Sequence, residues 1–235
     1  MIDWTSVRTL TFDCYGTIID WEHGIADALL PVFAAHDVAV SREESLARFA
    51  AHEHAAEAPG RRYRDVLATV LRAIGDDFGF TPTDAECAAF GASVGDWPPF
   101  ADSAAALRRL ATRFELVILS NVDDDLFAAS AAHLDGVEFS HVVTAQQVGS
   151  YKPDPAHFRV GLDRIGRPQH EIVHVAQSLF HDHVPAKALG FTTVWINRRG
   201  DDGGSGATPP ASATPDLVLA DLASLADVAV EASDT

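Results

Sequence analysis

The chain has 235 residues, 47% hydrophobic and 22% charged, ordinary values for a globular protein with a sizeable core, organised as one domain with an insertion or as two small ones. Its 17 Lys and Arg against 34 Asp and Glu give a formal charge of −17. This excludes a nucleic-acid partner, which would need clustered cations. Two cysteines, Cys14 and Cys87, are too few for a disulfide framework or a Cys-rich zinc site. The N-terminus MIDWTSVRTLTFD lacks the build of a signal peptide, and no apolar run approaches the ~18 residues of a membrane span. The expectation is a cytoplasmic protein with no membrane partner.

Along the chain, strand-like and helix-like apolar periods alternate, as in strands joined by crossover helices in a largely parallel sheet. Short β-rich runs stand at Val7–Phe12, Leu116–Leu119, His141–Thr144, Ile172–Ala176, Thr192–Ile196 and Leu217–Leu219. Helical patterns lie between them at about Ser103–Phe114, Asp124–Leu134, Asp154–Ile165, His183–Leu189 and Leu222–Val230. From Trp21 to Pro98 the rhythm stops, and four helical stretches follow one another: Trp21–Ala35, Arg42–Ala58, Arg64–Phe78 and Asp84–Gly95. The expected architecture is α/β: a doubly wound parallel sheet from residues 1–20 and 99–235, with an all-helical insertion at 21–98. Residues 199–215, RGDDGGSGATPPASATP, have no apolar periodicity and are expected to be a flexible, solvated loop with nothing to bury.

Reactive groups in a doubly wound sheet gather where strands end at the carboxyl edge. After Thr9-Leu10-Thr11-Phe12 comes Asp13, then Cys14-Tyr15-Gly16-Thr17. A carboxylate is thus delivered from an apolar strand into a turn that Gly16 permits. Leu116–Leu119 ends in Ser120-Asn121, two small hydrogen-bonding residues. Ser150-Tyr151-Lys152-Pro153-Asp154-Pro155 sets a lone lysine before a proline-started helix. The run Ile172–Val175 leads into Ala176-Gln177-Ser178-Leu179-Phe180-His181-Asp182.

In this order, and each after a strand, DCYGT, LSN, YKPDP and HVAQSLFHD resemble the haloacid dehalogenase superfamily. Each motif alone is weak; the combination is specific. The resemblance covers both sheet-forming parts, implies a Rossmann-like core, and makes the helical insertion the cap domain that closes over the site. Two positions depart from the superfamily's phosphatases. Where those carry a second Asp that protonates the leaving alkoxide, this chain has Tyr15, whose phenol, with an ordinary pKa of about 10, is a poor acid at neutral pH. Where their last motif helps hold magnesium with an Asp, this chain has Gln177, which weakens such a site. A halide leaves as a stable anion without a proton, and a 2-haloacid carries one carboxylate charge. Both departures therefore resemble the 2-haloacid dehalogenase branch, working without a cofactor.

That resemblance implies that Asp13 attacks the carbon bearing the halogen, forming an aspartyl ester that water cleaves at the Asp13 carbonyl. Lys152 would neutralise the carboxylates and keep Asp13 ionised. Thr17 and Ser120 would position Asp13 and the substrate carboxylate. Asn121 and a cap arginine would receive the halide, with Arg48 chosen over Arg61, Arg62 and Arg64 for its place in the second inserted helix. Asp182 would orient Lys152 or activate water, Ser178 would help bind substrate, and Tyr15 would wall the pocket. The partner is a small anionic substrate, and a homodimer is left open. Two alternatives stand beside this: a magnesium-dependent phosphatase acting on a small phosphate ester, and a phospho-accepting regulatory domain using Asp13, Ser120 and Lys152. Receivers of the latter kind are about half this length and carry no cap.

Several residues have blander readings. Lys152 alone would be a surface lysine. His181 and His183 flank Asp182 and either could be a general base, yet the exposed start of a helix is the favoured reading. His52-Glu53-His54 suggests a metal motif, but two residues along a helix differ by about 200°, so the imidazoles point apart and a solvated face is preferred. Cys14 is expected to pack. Trp97, Pro98, Pro99 and Phe100 are expected to pack the cap hinge.

Overall fold

The computed structural model describes residues 2–200 and 206–231. Six parallel strands, β1 (Thr9–Phe12), β2 (Glu115–Ser120), β3 (His141–Thr144), β4 (Ile172–Ala176), β5 (Thr192–Ile196) and β6 (Leu217–Leu219), form one sheet in the order β3-β2-β1-β4-β5-β6. The cap helices are α1 (Trp21–Ala35), α2 (Arg42–Ala56), α3 (Tyr63–Phe78) and α4 (Asp84–Ala92). Those of the core are α5 (Ser103–Ala111), α6 (Asp124–Ala131), α7 (Ala145–Val148), α8 (Ala156–Ile165), α9 (Val184–Ala188) and α10 (Leu222–Glu231). Helices on both faces explain the near-continuous apolar strands: Leu10, Phe12, Leu116 and Ile118 belong to the cluster that includes α5 and α10, while Val117, Leu119 and Ile172 pack with Phe158 of α8 and Ala186 of α9.

Connections run from β1 outward to β3, then return to place β4 on the other side of β1. The crevice at this switch point is where the loops after β1 and β4 part, and it is the natural place for a ligand. The cap leaves after β1 and returns before α5 through two extended segments tied to each other. Asp20 N donates to Pro98 O at 2.8 Å, and Phe100 N donates to Ile18 O at 3.0 Å. Trp97, at this hinge, lies on Gly24 of α1, where a Cβ would come within 2.2 Å of its ring; glycine lets the indole seat. In α3, Val66, Leu67, Val70, Leu71 and Ile74 form the buried stripe. In α2 the buried stripe is Ser45, Phe49 and Glu53.

Two expectations are corrected. The segment 199–215 was expected to bury nothing, and part of it, 201–205, lies outside the described residues. Yet Ala207 is fully buried and Thr208 only 7% exposed. Ala207 N donates to Glu22 Oε1 at 2.8 Å, and Arg199 pairs with the same carboxylate. A strap that buries single small residues has no periodicity to betray it. Likewise His181 and His183 do not lie on an exposed helix start. Residues Leu179–His183 form a wide helical turn, closed by His183 N to Ser178 O at 3.2 Å, and both imidazoles are buried.

Candidate active site

Lys152 lies at the centre of the crevice, 1% exposed. Its Nζ donates to Asp13 Oδ1 at 2.9 Å, to Asp182 Oδ1 at 2.7 Å and to Leu119 O at 2.8 Å, so all three ammonium protons are used. The surface reading of Lys152 therefore fails. Three loops deliver this cluster: the one after β1 brings Asp13, the turn after β4 brings Asp182, and the segment after α7 brings Lys152. Asn121, following β2, fixes the last of these from both sides: it accepts from Lys152 N at 2.7 Å and donates to Lys152 O at 3.0 Å.

Thr17 Oγ1 donates to Asp13 Oδ2 at 2.8 Å and accepts from Gln177 N at 2.9 Å. Gly16, with φ of +93°, makes this return possible, and a side chain there would press on Trp21 and Gln177. Burial lifts the Asp13 carboxyl above its ordinary value, opposed by the Lys152 ammonium and the Thr17 hydroxyl. Asp182 behaves oppositely. Burial pushes it up, but the Lys152 ammonium and the His174 N–H, 3.0 Å away, hold it well below the carboxylate range. Lys152 is itself depressed by burial but raised overall by the two carboxylates, so it stays charged.

The pocket above this cluster is lined by Tyr15, Ser120, Asn121, Ser178 and His181, together with Trp21, Glu53, Tyr63 and Thr208. Ser120 Oγ is buried without a partner and free to bind a ligand. Tyr15 is a wall, and its hydroxyl is turned onto Ser130 Oγ at 2.9 Å, held there as a neutral phenol by burial. Cys14 packs into the core.

No cap arginine weighed from the sequence lines this pocket. Arg48 lies on the outer side of α2, its side chain 44% exposed, within ion-pair range of Glu44 and Asp77 and over the Phe78 ring. Arg62 and Arg64 pair with Asp123 and Asp125, latching cap to core, and Arg61 donates to Ala56 O. The cap instead presents Glu53, a residue whose sequence context points to a solvated face. Tyr63 OH donates to Glu53 Oε1 at 3.0 Å, whereas Oε2 is buried and unpartnered. Burial lifts this carboxyl to about 7. Its signal in the sequence was an acid four residues after Phe49, on the inward stripe of α2. Thr208 carried no such signal.

Residues 7–188 match the family model of the haloacid dehalogenase-like hydrolases. The chain belongs to this family. Among curated relatives of this hydrolase, (S)-2-haloacid dehalogenase H-109 of Pseudomonas putida is 24% identical over 235 residues, spanning 94% of this chain and 97% of that protein. The (S)-2-haloacid dehalogenase of Pseudomonas sp. strain YL is 27% identical over 210 residues, 83% of this chain and 84% of that protein. Among solved structures, L-2-haloacid dehalogenase from Xanthobacter autotrophicus superposes with a TM-score of 0.80 at 20% identity, covering 96% of this chain and 99% of that one. The putative HAD-hydrolase YfnB from Bacillus subtilis, bound to magnesium, gives 0.76 at 18% identity, covering 95% and 99%. Since one fold serves both, the site and not the fold must separate the chemistries.

The residues here do not fit magnesium. The two carboxylates that would share it are bridged by an ammonium, the Tyr15 oxygen is bonded to Ser130, and the Gln177 amide stands in the neighbouring cleft with Arg198 and Glu22.

Proposed function

We propose that this hydrolase dehalogenates a small 2-haloacid, giving a 2-hydroxy acid through an ester on Asp13, without a metal cofactor. The observation that carries the reading is the Tyr15 hydroxyl's bond to Ser130: the position two residues after Asp13, from which an acid would protonate an alkoxide, holds a phenol turned away from it, and a halide needs no proton. Asp13 attacks the carbon bearing the halogen, the carbon–halogen pair of electrons leaves with the halide, and water then attacks the Asp13 carbonyl. Thr17 fixes one carboxylate oxygen and Lys152 the other. Asp182 Oδ2, buried and unpartnered, orients the water. Ser120 Oγ receives the substrate carboxylate. Glu53, largely neutral below about pH 7, offers the proton on its free oxygen as a hydrogen bond to the departing halide, in the role expected of an arginine. No helix among the described residues is long and apolar enough to cross a membrane; with both cysteines free and buried, a reducing cytoplasm is the compartment that suits the chain.

Assaying free halide from a panel of 2-haloacids tests this reading. We expect release that survives EDTA; strict dependence on added magnesium, with turnover of p-nitrophenyl phosphate, would overturn it.

The Glu53 role sets a pH dependence. Its carboxyl is raised in the folded protein, so the donating form is present below about 7 and lost as pH rises through that value. Turnover should fall across this window. In Glu53→Gln, whose amide donates at every pH, the rate should be lower and the descending limb absent. An unchanged limb would remove Glu53 from the reaction.

A further inference from the structure

At the seam between cap and core, three metal-binding side chains converge: His54 near the end of α2, Glu57 just beyond it, and His181 in the turn after β4. One ligand atom from each lies within 4.8 Å of the other two. His54 Nδ1 and Glu57 Oε2 are 3.2 Å apart. His181 is 7% exposed and its Nδ1 meets Ser178 Oγ at 3.2 Å, which leaves Nε2 buried without a partner. A buried ring nitrogen in that state calls for a donor or a cation. The Phe180 ring stands edge-on to both imidazoles, 5.0 Å from His54 and 4.9 Å from His181, and so restrains their planes. A cleft lined by His54, Glu57, Tyr151 and Asp154 gives an ion access from solvent.

We propose that His54, Glu57 and His181 form a binding site for a zinc-class divalent cation that ties the cap to the core. Two imidazoles and one carboxylate suit a borderline ion and not magnesium or calcium, which prefer all-oxygen shells, and three protein ligands leave a fourth position for water. The site borders the Lys152 pocket, which His181 also lines, but its ligands are not the groups that carry the haloacid reaction, so it stands whether or not that reading holds.

The test is uptake by the metal-stripped full-length protein, followed by calorimetry with Zn2+ and visible absorption with Co2+. We expect one equivalent per chain, and a thermal midpoint that rises as Zn2+ saturates the site, because an ion that binds only the folded form stabilises it. His54→Ala, whose side chain is 49% exposed in the parent, should fold normally, bind Zn2+ at least tenfold more weakly and lose the rise in midpoint. His23→Ala, on the exposed start of α1, should leave both unchanged. Absence of stoichiometric uptake in the parent, or parental affinity in His54→Ala, would overturn the site.

Discussion

Lys152→Met is expected to lower turnover by about a hundred- to a thousandfold, the scale seen when a positioned charge donor is removed from an active site, and to destabilise the fold by about 3–5 kcal/mol, the usual consequence of leaving buried charges without their partner. A surface lysine could be removed at little cost to the fold. The burial of Lys152 and its three acceptors say otherwise. The pH dependence carries the proof. In the parent, Asp182 is held below its ordinary value, so its contribution to stability is present above the unfolded value of about 3.9 and lost as pH falls through the lower folded one. Without the ammonium, burial and mutual repulsion raise Asp182 and raise Asp13 further, so for Asp182 the sign reverses: stability is present below about 3.9 and lost as pH rises through the raised values. The gap between variant and parent in urea unfolding should therefore widen from pH 5 to pH 8. A constant gap would mean that Lys152 does not hold the two carboxylates.

Asp13→Asn is expected to reduce halide release to background, since an amide of the same shape cannot form the ester. The parent enzyme offers a sharper measurement. In heavy-oxygen water, a single turnover should label Asp13 and deliver an unlabelled oxygen to the hydroxy acid, and later turnovers should pass the label on. If water attacked the substrate directly, the product would be labelled at once. Mass spectrometry of the peptide containing Asp13 separates the two, and an unlabelled peptide beside a labelled product would remove Asp13 as nucleophile. Bonds from Thr17 and Lys152 to its two oxygens hold Asp13 for attack, and such orientation lowers barriers by up to about 7–11 kcal/mol in favourable cases.

The sheet was legible because a buried parallel strand is a short apolar run, and because four of these runs end in polar residues with nowhere to go but the carboxyl edge. β3, β4, β5 and β6 coincide with the runs read from the sequence, and Asp13, Ser120, Lys152 and Asp182 meet where those ends converge. What the cap contributes was illegible for a geometric reason. A helix shows which residues share a face but not which face meets the core. Arg48 and Glu53 both lie on α2, and the structure turns the acid inward and the arginine out. His181 was misplaced because a wide turn, unlike a regular helix, buries consecutive residues on one side. Thr208 is brought to the pocket by a strap whose composition resembles that of a linker.

The seam divides the pocket's chemistry between two bodies. Asp13, Lys152 and Asp182 belong to the core, whereas Glu53 and Tyr63 belong to the cap, which is latched by Tyr63 N and Arg64 onto Asp123. Tyr63 thus gives its backbone to the latch and its hydroxyl to Glu53, so under the proposed reaction the residue that ties down the cap also holds the halide donor. An acid too bulky to let the latch form would still reach the core carboxylate and ammonium but would meet no halide donor. Such a compound would bind but turn over slowly, so the shape of the closed pocket would act as a measure of substrate size enforced at the chemical step more than at binding.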